Sequence, residues 1–334
     1  MDFRLSDDQL ALAESVRDFL AKAHGPETLR ALDAGQAPQV AASLVEMGLP
    51  GLLVPEADGG LGLRRLDAAI VAVELGRANV SEAFVEAALV AAPLLARAGE
   101  REGLLAALAT GEAKLALQHP INPWVAGLDG ATHLLLADGE ALRLAAVAPG
   151  AAIESVDPLR RLAQPAPVGG ERIDGTAGDL LDMAALVSAA QLLGAAERML
   201  ELATDYAKTR EQFGQPIGGF QAIKHMLATV MVATEFARPV LWRAAQALDD
   251  GLSSAPVHVS HAKVAATDAA MLAAETAIQV HGAMGYTYEV DLHFWMKRAW
   301  ALAGAWGSRA FHLHRVDDAT IGGALPIGAD ATFA

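Results

Sequence analysis

Apolar side chains recur at helical spacing over most of the chain and at strand spacing over one short stretch of it. Ser6-Asp7-Asp8-Gln9 has the capping-box pattern, and Leu12, Val16, Phe19 and Leu20 follow on one face, which predicts a helix ending near Gly25-Pro26. A second helical pattern over residues 40–47 stops at Gly48. The segment from Pro50 to Gly62 then holds too much glycine and proline for a helix and predicts a structured loop. Helical patterns resume over 65–77, 81–96 and 101–110. Between about 113 and 178 the chain turns to short aliphatic runs such as 132–137 and 141–147, separated by Asp-Gly and Pro-Gly pairs, which predict strands and tight turns. Long amphipathic helices return over 180–315, with breaks at 213–219, 249–256 and 282–288. The order is α, small β, α, with segments 1–112, 113–178 and 179–334. No fixed-period repeat is visible, and the tail from Gly322 carries no pattern.

Composition sharpens this picture. Of 334 residues 53% are apolar but only 5% aromatic, so the excess is aliphatic, mostly the helix formers Ala and Leu, and a mainly helical protein follows. The net charge of −15 argues against nucleic acid or an anionic membrane as partner. The absence of cysteine excludes disulfides, thiolate metal sites and a Cys nucleophile. The longest stretches without Asp, Glu, Lys or Arg, residues 115–128 and 183–196, fall short of the about 18 that a membrane span needs. The first residues lack a basic stretch leading into an apolar one, which predicts no secretory signal and a cytoplasmic location.

Three glycine-containing segments are candidates for chemistry. Arg210-Glu211-Gln212-Phe213-Gly214-Gln215-Pro216-Ile217-Gly218-Gly219-Phe220-Gln221 follows a long helix. It offers a guanidinium fork for phosphate beside backbone that a ligand can approach, which suits a dinucleotide pyrophosphate; a solvated Arg210 on a glycine-terminated helix is the alternative. Gln279-Val280-His281-Gly282-Ala283-Met284-Gly285-Tyr286 again runs from helix to glycine loop. Gly59-Gly60-Leu61-Gly62 does not sit between a strand and a helix, so a Rossmann reading fails. His312 and His314, near Asp317 and Asp318, lie two residues apart on a helix and point to different faces, which predicts a solvated helix end and no metal site.

In order along the chain, four features resemble the acyl-CoA dehydrogenases. They are Met1-Asp2-Phe3 with Leu5-Ser6, the loop from Gly48-Leu49 through Val54-Pro55-Glu56 to Gly62, the Arg210 to Gln221 segment, and Gln279 to Tyr286. The resemblance implies a mainly α protein with an N-terminal helical domain, a small middle β domain and a C-terminal four-helix bundle. It also implies FAD as cofactor, lying between subunits, and an acyl-CoA substrate. Arg210, Phe213, Gln215, Gln221, Gln279 and Gly282 match the positions that reach a flavin held mainly by a neighbouring subunit.

The departures from the family pattern concern catalysis. The family removes an α proton from the thioester with a Glu, while hydride leaves the β carbon for the flavin. At one usual position of that base the turn reads Ala305-Trp306-Gly307-Ser308, and an indole accepts no proton. At the other, by register from Arg198 and Tyr206, stand Ala184-Ala185. Asp182 is a candidate displaced base, with helix N-cap as its structural reading. Leu117-Gln118-His119-Pro120 replaces the family's Thr-Glu-Pro stretch, and the β domain is short. The chain therefore resembles the subunit that completes the flavin site in paired, truncated acyl-CoA dehydrogenases of bacterial steroid or bulky acyl-CoA degradation, beside a second dehydrogenase-like chain that carries the base. Two rivals are a homo-oligomeric flavoenzyme, either with an unorthodox base or acting as an oxygenase, and a flavin-free helical assembly partner.

Overall fold

The computed structural model describes residues 3–36, 40–99, 103–166, 169–325 and 328. The motif residues Met1 and Asp2 and most of the patternless tail lie outside the described residues.

Helix α1 (Asp7–Ala23) starts with the predicted capping box: Gln9 N donates to Ser6 Oγ at 3.2 Å and Ser6 N donates to Gln9 Oε1 at 3.0 Å. The chain then makes a helix that the pattern had not shown, α2 (Pro26–Asp33), where Pro26 sits in the first turn with φ already set for a helix. Helices α3 (Val40–Glu46) and α4 (Arg65–Arg77) follow the predicted patterns. The loop between them is tied to itself, with Leu61 N, Gly62 N and Leu63 N donating to the carbonyls of Gly51, Val54 and Leu52 at 2.8 to 2.9 Å. The helix predicted over 81–96 is α5 (Glu82–Glu86), a π-helical stretch over Ala87–Ala91 and α6 (Ala92–Ala98) in succession. Helix α7 (Leu104–Ala109) closes this part.

The β region holds β1 (Leu115–Gln118), β2 (Val125–Ala126), β3 (His133–Asp138), β4 (Ala141–Ala146), β5 (Gly150–Ile153), β6 (Leu162–Pro165) and β7 (Glu171–Thr176). They form a four-stranded sheet in the order β1-β3-β4-β7, parallel only between β1 and β3, and a three-stranded antiparallel sheet β2-β6-β5. Asp138 pairs with Ala141, so the predicted turn is a hairpin whose two-residue tip is Gly139-Glu140, with Gly139 at φ +58°.

Helix α8 (Ala177–Thr209) is the spine of the molecule, packed by α4, α9 (Gln221–Asp249), α10 (Ala255–His281) and α11 (Leu292–Gly304); α12 (Arg309–Thr320) lies against α10. It is long and apolar enough to cross a membrane, but 94% of its most apolar 18 residues are buried inside the protein, as in a core helix. Two glycines let α4 and α8 touch backbone to backbone. A Cβ on Gly76 would lie 2.3 Å from the Gln191 carbonyl oxygen, and one on Gly194 would lie 1.9 Å from that of Val73. Asp182 is not the cap of α8. Thr176 takes that role, its hydroxyl accepting from Asp179 N at 3.1 Å, and the helix begins three residues before the expected Leu180, placing Asp182 inside its second turn. Capping is read from the first residue with helical dihedrals, and here the β7 strand feeds directly into it.

Candidate functional site

The two glycine segments meet at one end of the bundle. Helices α8 and α10 run parallel with α9 between them in sequence, so their C-termini come out together, and Tyr206 stacks on His281 with ring centroids 4.3 Å apart. Beyond α8 the chain forms a small hairpin, β8 (Glu211–Gln212) and β9 (Gln215–Pro216), with Phe213 at φ +53° and Gly214 at φ +79° at its tip. Two successive left-handed residues make the I′ turn that suits a two-residue hairpin, but a phenylalanine is a costly choice there. Its ring is 92% exposed and meets Phe220 edge-on at 6.1 Å. Arg210, Gln215, Gln221, Gln279 and Gly282 are all exposed around this end. Arg210 bonds through its backbone, its N–H to the Tyr206 carbonyl and its carbonyl to Ile217 N, each at 2.8 Å, so the helix end and hairpin present its side chain outward.

The turn at Trp306 is built differently. Trp306 is 1% exposed and stands in a left-handed turn at φ +55°, followed by Gly307 at +99°. Three elements hold it. Its indole N–H donates to Glu86 Oε1 at 2.6 Å, its backbone N–H donates to Asn122 Oδ1 at 3.3 Å, and its carbonyl accepts from His312 Nε2 at 2.9 Å. A carbonyl only accepts, so Nε2 carries the hydrogen, while Nδ1 lies 3.1 Å from Ser260 Oγ, whose hydroxyl donates to the Pro256 carbonyl at 2.9 Å. Burial, above all, lowers the His312 pKa to about 4, which keeps the ring neutral. The expectation that His312 lies at a solvated helix end is therefore wrong, because α12 packs this face onto α10; His314 does point outward, as its spacing predicted.

Glu86 is the carboxyl that the sequence reading missed. Burial raises its pKa well above the usual 4.5 and nearby Glu82 raises it further, against the opposing pull of the Trp306 N–H and Arg160. Arg160 forks onto Glu82 in a pair buried at both ends. Lys263, fully buried close by, donates to Ser188 Oγ at 2.9 Å and to the Leu302 carbonyl, and burial brings its pKa down to about 7. The available signal was the i, i+4 spacing of Glu82 and Glu86 in an otherwise apolar helix. Asn122 belongs to the turn after β1, where His119 and Asn122 exchange backbone hydrogen bonds.

Asp182 and Ala184 lie on α8, both buried. Arg315 Nη2 donates to Asp182 Oδ1 at 2.8 Å and Arg315 Nη1 to Ser260 Oγ at 3.3 Å, so Asp182 connects to Trp306 through Arg315, Ser260 and His312. Burial raises the Asp182 pKa, with Arg315 opposing. The cavity that it lines, with Arg65, Arg97 and Asp179 among its walls, has a volume of about 60 Å³. That holds one or two waters and no acyl thioester.

Residues 6–112 match the N-terminal domain of the acyl-CoA dehydrogenases, and residues 175–320 match their C-terminal domain. The chain is 37% identical to Acyl-CoA dehydrogenase IpdE2 of Mycobacterium tuberculosis, over 88% of this chain and 91% of that protein. Among solved structures it is similar to a chain of the ChsE4-ChsE5 complex from Mycobacterium tuberculosis, with a TM-score of 0.85 at 25% identity, covering 98% of this chain and 100% of that one. It is also similar to a variant of the Tcur3481-Tcur3483 steroid ACAD, with a TM-score of 0.81 at 26% identity over 95% and 99% of the two chains. The helical, β and helical arrangement, the ordered motifs and these likenesses agree: the chain belongs to the acyl-CoA dehydrogenase family.

Proposed function

We propose that this chain is one subunit of a heteromeric FAD-dependent acyl-CoA dehydrogenase, which desaturates an acyl-CoA between its α and β carbons. In this reading the chain completes a flavin site held mainly by a second, dehydrogenase-like chain, and that partner supplies the base. The observation that carries it is the buried Trp306, whose indole is turned inward onto Glu86 at the position where the family keeps a carboxylate. No proton can be taken by that side chain, and Asp182 is engaged by Arg315 beside a cavity too small for the substrate.

The residues present fit the cofactor. A guanidinium, three carboxamides and glycine backbone supply an anion fork together with neutral donors and acceptors, which suits a pyrophosphate flanked by a nucleoside. Arg210 would hold the pyrophosphate, with Gln215, Gln221, Gln279 and the Gly282 backbone around it, and Phe213 covering an apolar edge. FAD, when bound, supplies the acceptor for the hydride leaving the β carbon. All these groups face outward, so they serve a ligand shared with another chain. Two of the similar solved structures pair two components, ChsE4 with ChsE5 and Tcur3481 with Tcur3483, which supports a partner chain here. A homo-oligomeric dehydrogenase with Asp182 as an unorthodox base is disfavoured by the engagement of Asp182 with Arg315.

Co-expression with a neighbouring dehydrogenase-like gene tests the reading. Flavin absorbance is expected in the co-purified complex and not in the chain alone. Arg210→Ala should remove a charge-assisted contact worth roughly 1.5 to 3 kcal/mol and lower FAD retention about tenfold or more. Unchanged retention would remove Arg210 from the site, and a complex without flavin would leave the assembly-partner reading in its place.

A further inference from the structure

Each of the two glycine segments is pinned to the last turn of its own helix. After α8, Arg210 N donates to the Tyr206 carbonyl and Ile217 N to the Arg210 carbonyl, each at 2.8 Å. The turn Ile217–Gly219 then folds back on the helix so closely that a Cβ on Gly218 would lie 3.0 Å from the Ala207 carbonyl oxygen. After α10, the turn Gly282–Tyr286 folds back in the same way. A Cβ on Gly285 would lie 2.8 Å from the Ile278 carbonyl oxygen and 3.2 Å from the His281 Cβ.

At this end the two helices meet through rings. Tyr206, half-buried, and His281, buried, have centroids 4.3 Å apart and planes inclined by 25°. His281 Nδ1 lies 2.7 Å from the Ala277 carbonyl, and since a carbonyl only accepts, Nδ1 carries the hydrogen and the imidazole is tied to its own helix. Burial lowers the His281 pKa below the usual 6.5 against the pull of that carbonyl, so the ring is neutral and stacks without a charge to solvate. Tyr206 carries the carbonyl that holds Arg210 N, and His281 stands directly before Gly282 and two residues after Gln279. A tilt of either ring therefore moves the segment attached to it.

We infer that Tyr206 and His281 are positioning residues, whose stack holds the Arg210 and Gln279 segments at the spacing that the nucleotide end of FAD requires. The inference rests on the flavin reading above and adds to it the device that registers one segment against the other. A ligand gripped from two sides is held well only when both sides are set before it arrives, and displacements of about half an ångström already weaken such a grip. His281 is buried, so it acts through Gln279 and Gly282 rather than by touching the ligand.

The co-purified complex, stripped of flavin and titrated with FAD by fluorescence, tests the inference beside hydrogen exchange on the chain alone. Tyr206→Phe keeps the ring and should stay within about twofold of wild-type affinity, whereas Tyr206→Leu should weaken FAD binding about five- to tenfold. Gln279→Ala should cost less affinity in the Tyr206→Leu background than in wild type, because the carboxamide is then already out of register. In the chain alone, Tyr206→Leu and not Tyr206→Phe should speed amide exchange at residues 282–287. His281→Leu, made from the other side of the stack, should repeat the pattern, and circular dichroism melts verify that each variant is folded. Wild-type FAD affinity in Tyr206→Leu, beside a lowered affinity in Arg210→Ala, overturns the inference and leaves the flavin reading standing. So do additive losses in the double variant and exchange at 282–287 that does not move. An affinity indifferent to both Arg210→Ala and Gln279→Ala overturns the flavin reading, and the inference falls with it.

Discussion

Glu86 and Trp306 meet where water does not reach, and the pair sets a proton balance. The folded state holds the Glu86 proton to well above the usual 4.5, because burial and Glu82 both oppose its charge. The unfolded chain gives that proton up near 4.5, so stability is complete below that pH and falls as pH rises through and above it. Glu86→Gln keeps an oxygen to accept the indole N–H and never ionises. It should therefore be more stable than wild type at neutral pH, with the difference closing below about pH 4.5. Urea midpoints measured at both ends of this range check the direction, and parallel curves would mean that Glu86 folds already ionised. Trp306→Phe removes the donor but leaves the carboxyl buried, and a loss of about 1 to 3 kcal/mol is expected by the same melts.

At the scale of elements, contact between α4 and α8 depends on glycines. Gly194→Ala would force a methyl group to within 1.9 Å of the Val73 carbonyl oxygen, and the helices would have to part. A destabilisation of about 1 to 3 kcal/mol or more is expected. Gly304→Ala, at the end of α11 with nothing within 4 Å of the added carbon, should instead be neutral or stabilise by about 0.4 to 1 kcal/mol. Thermal melts of the two variants would move in opposite directions. The hairpin after α8 keeps a left-handed phenylalanine whose exposed ring meets only Phe220 edge-on. Phe213→Gly relieves a left-handed phenylalanine and should not lower the melting temperature, yet flavin retention in the assembled complex should fall if the ring covers the cofactor.

For the whole molecule, the proposed sharing of a flavin site and the proposed supply of the base by a partner give one prediction. The isolated chain with added FAD should not bleach flavin absorbance with any of a panel of acyl-CoAs, since loss of a general base typically forfeits about a hundredfold to ten-thousandfold in rate. The co-purified complex should bleach it. Turnover by the chain alone that Asp182→Asn abolishes would restore Asp182 as a base, despite its contact with Arg315. Trp306→Glu is not expected to rescue the isolated chain, because a carboxylate in the space of an indole would face Glu86 across a buried gap.

Local signals carried much of this far. Periodicity separated helices from strands, and the Ser6 capping box and the hairpin turn at Gly139 stand where their residues placed them. These features are encoded within a few residues, so they are legible in one dimension. The misread residues are those whose state depends on distant partners. Asp182 looked like a cap and is an ion-pair partner of Arg315, 133 positions away. His312 looked solvated and supports the turn at Trp306. Glu86 drew no attention, although its bond to Trp306 spans 220 positions and turns the indole inward. The meeting of Tyr206 with His281 at one end of the bundle likewise required α8 and α10 to run parallel. Which polar groups are dry and what they face is set by packing between helices far apart in sequence, and that is decided only when the chain closes on itself.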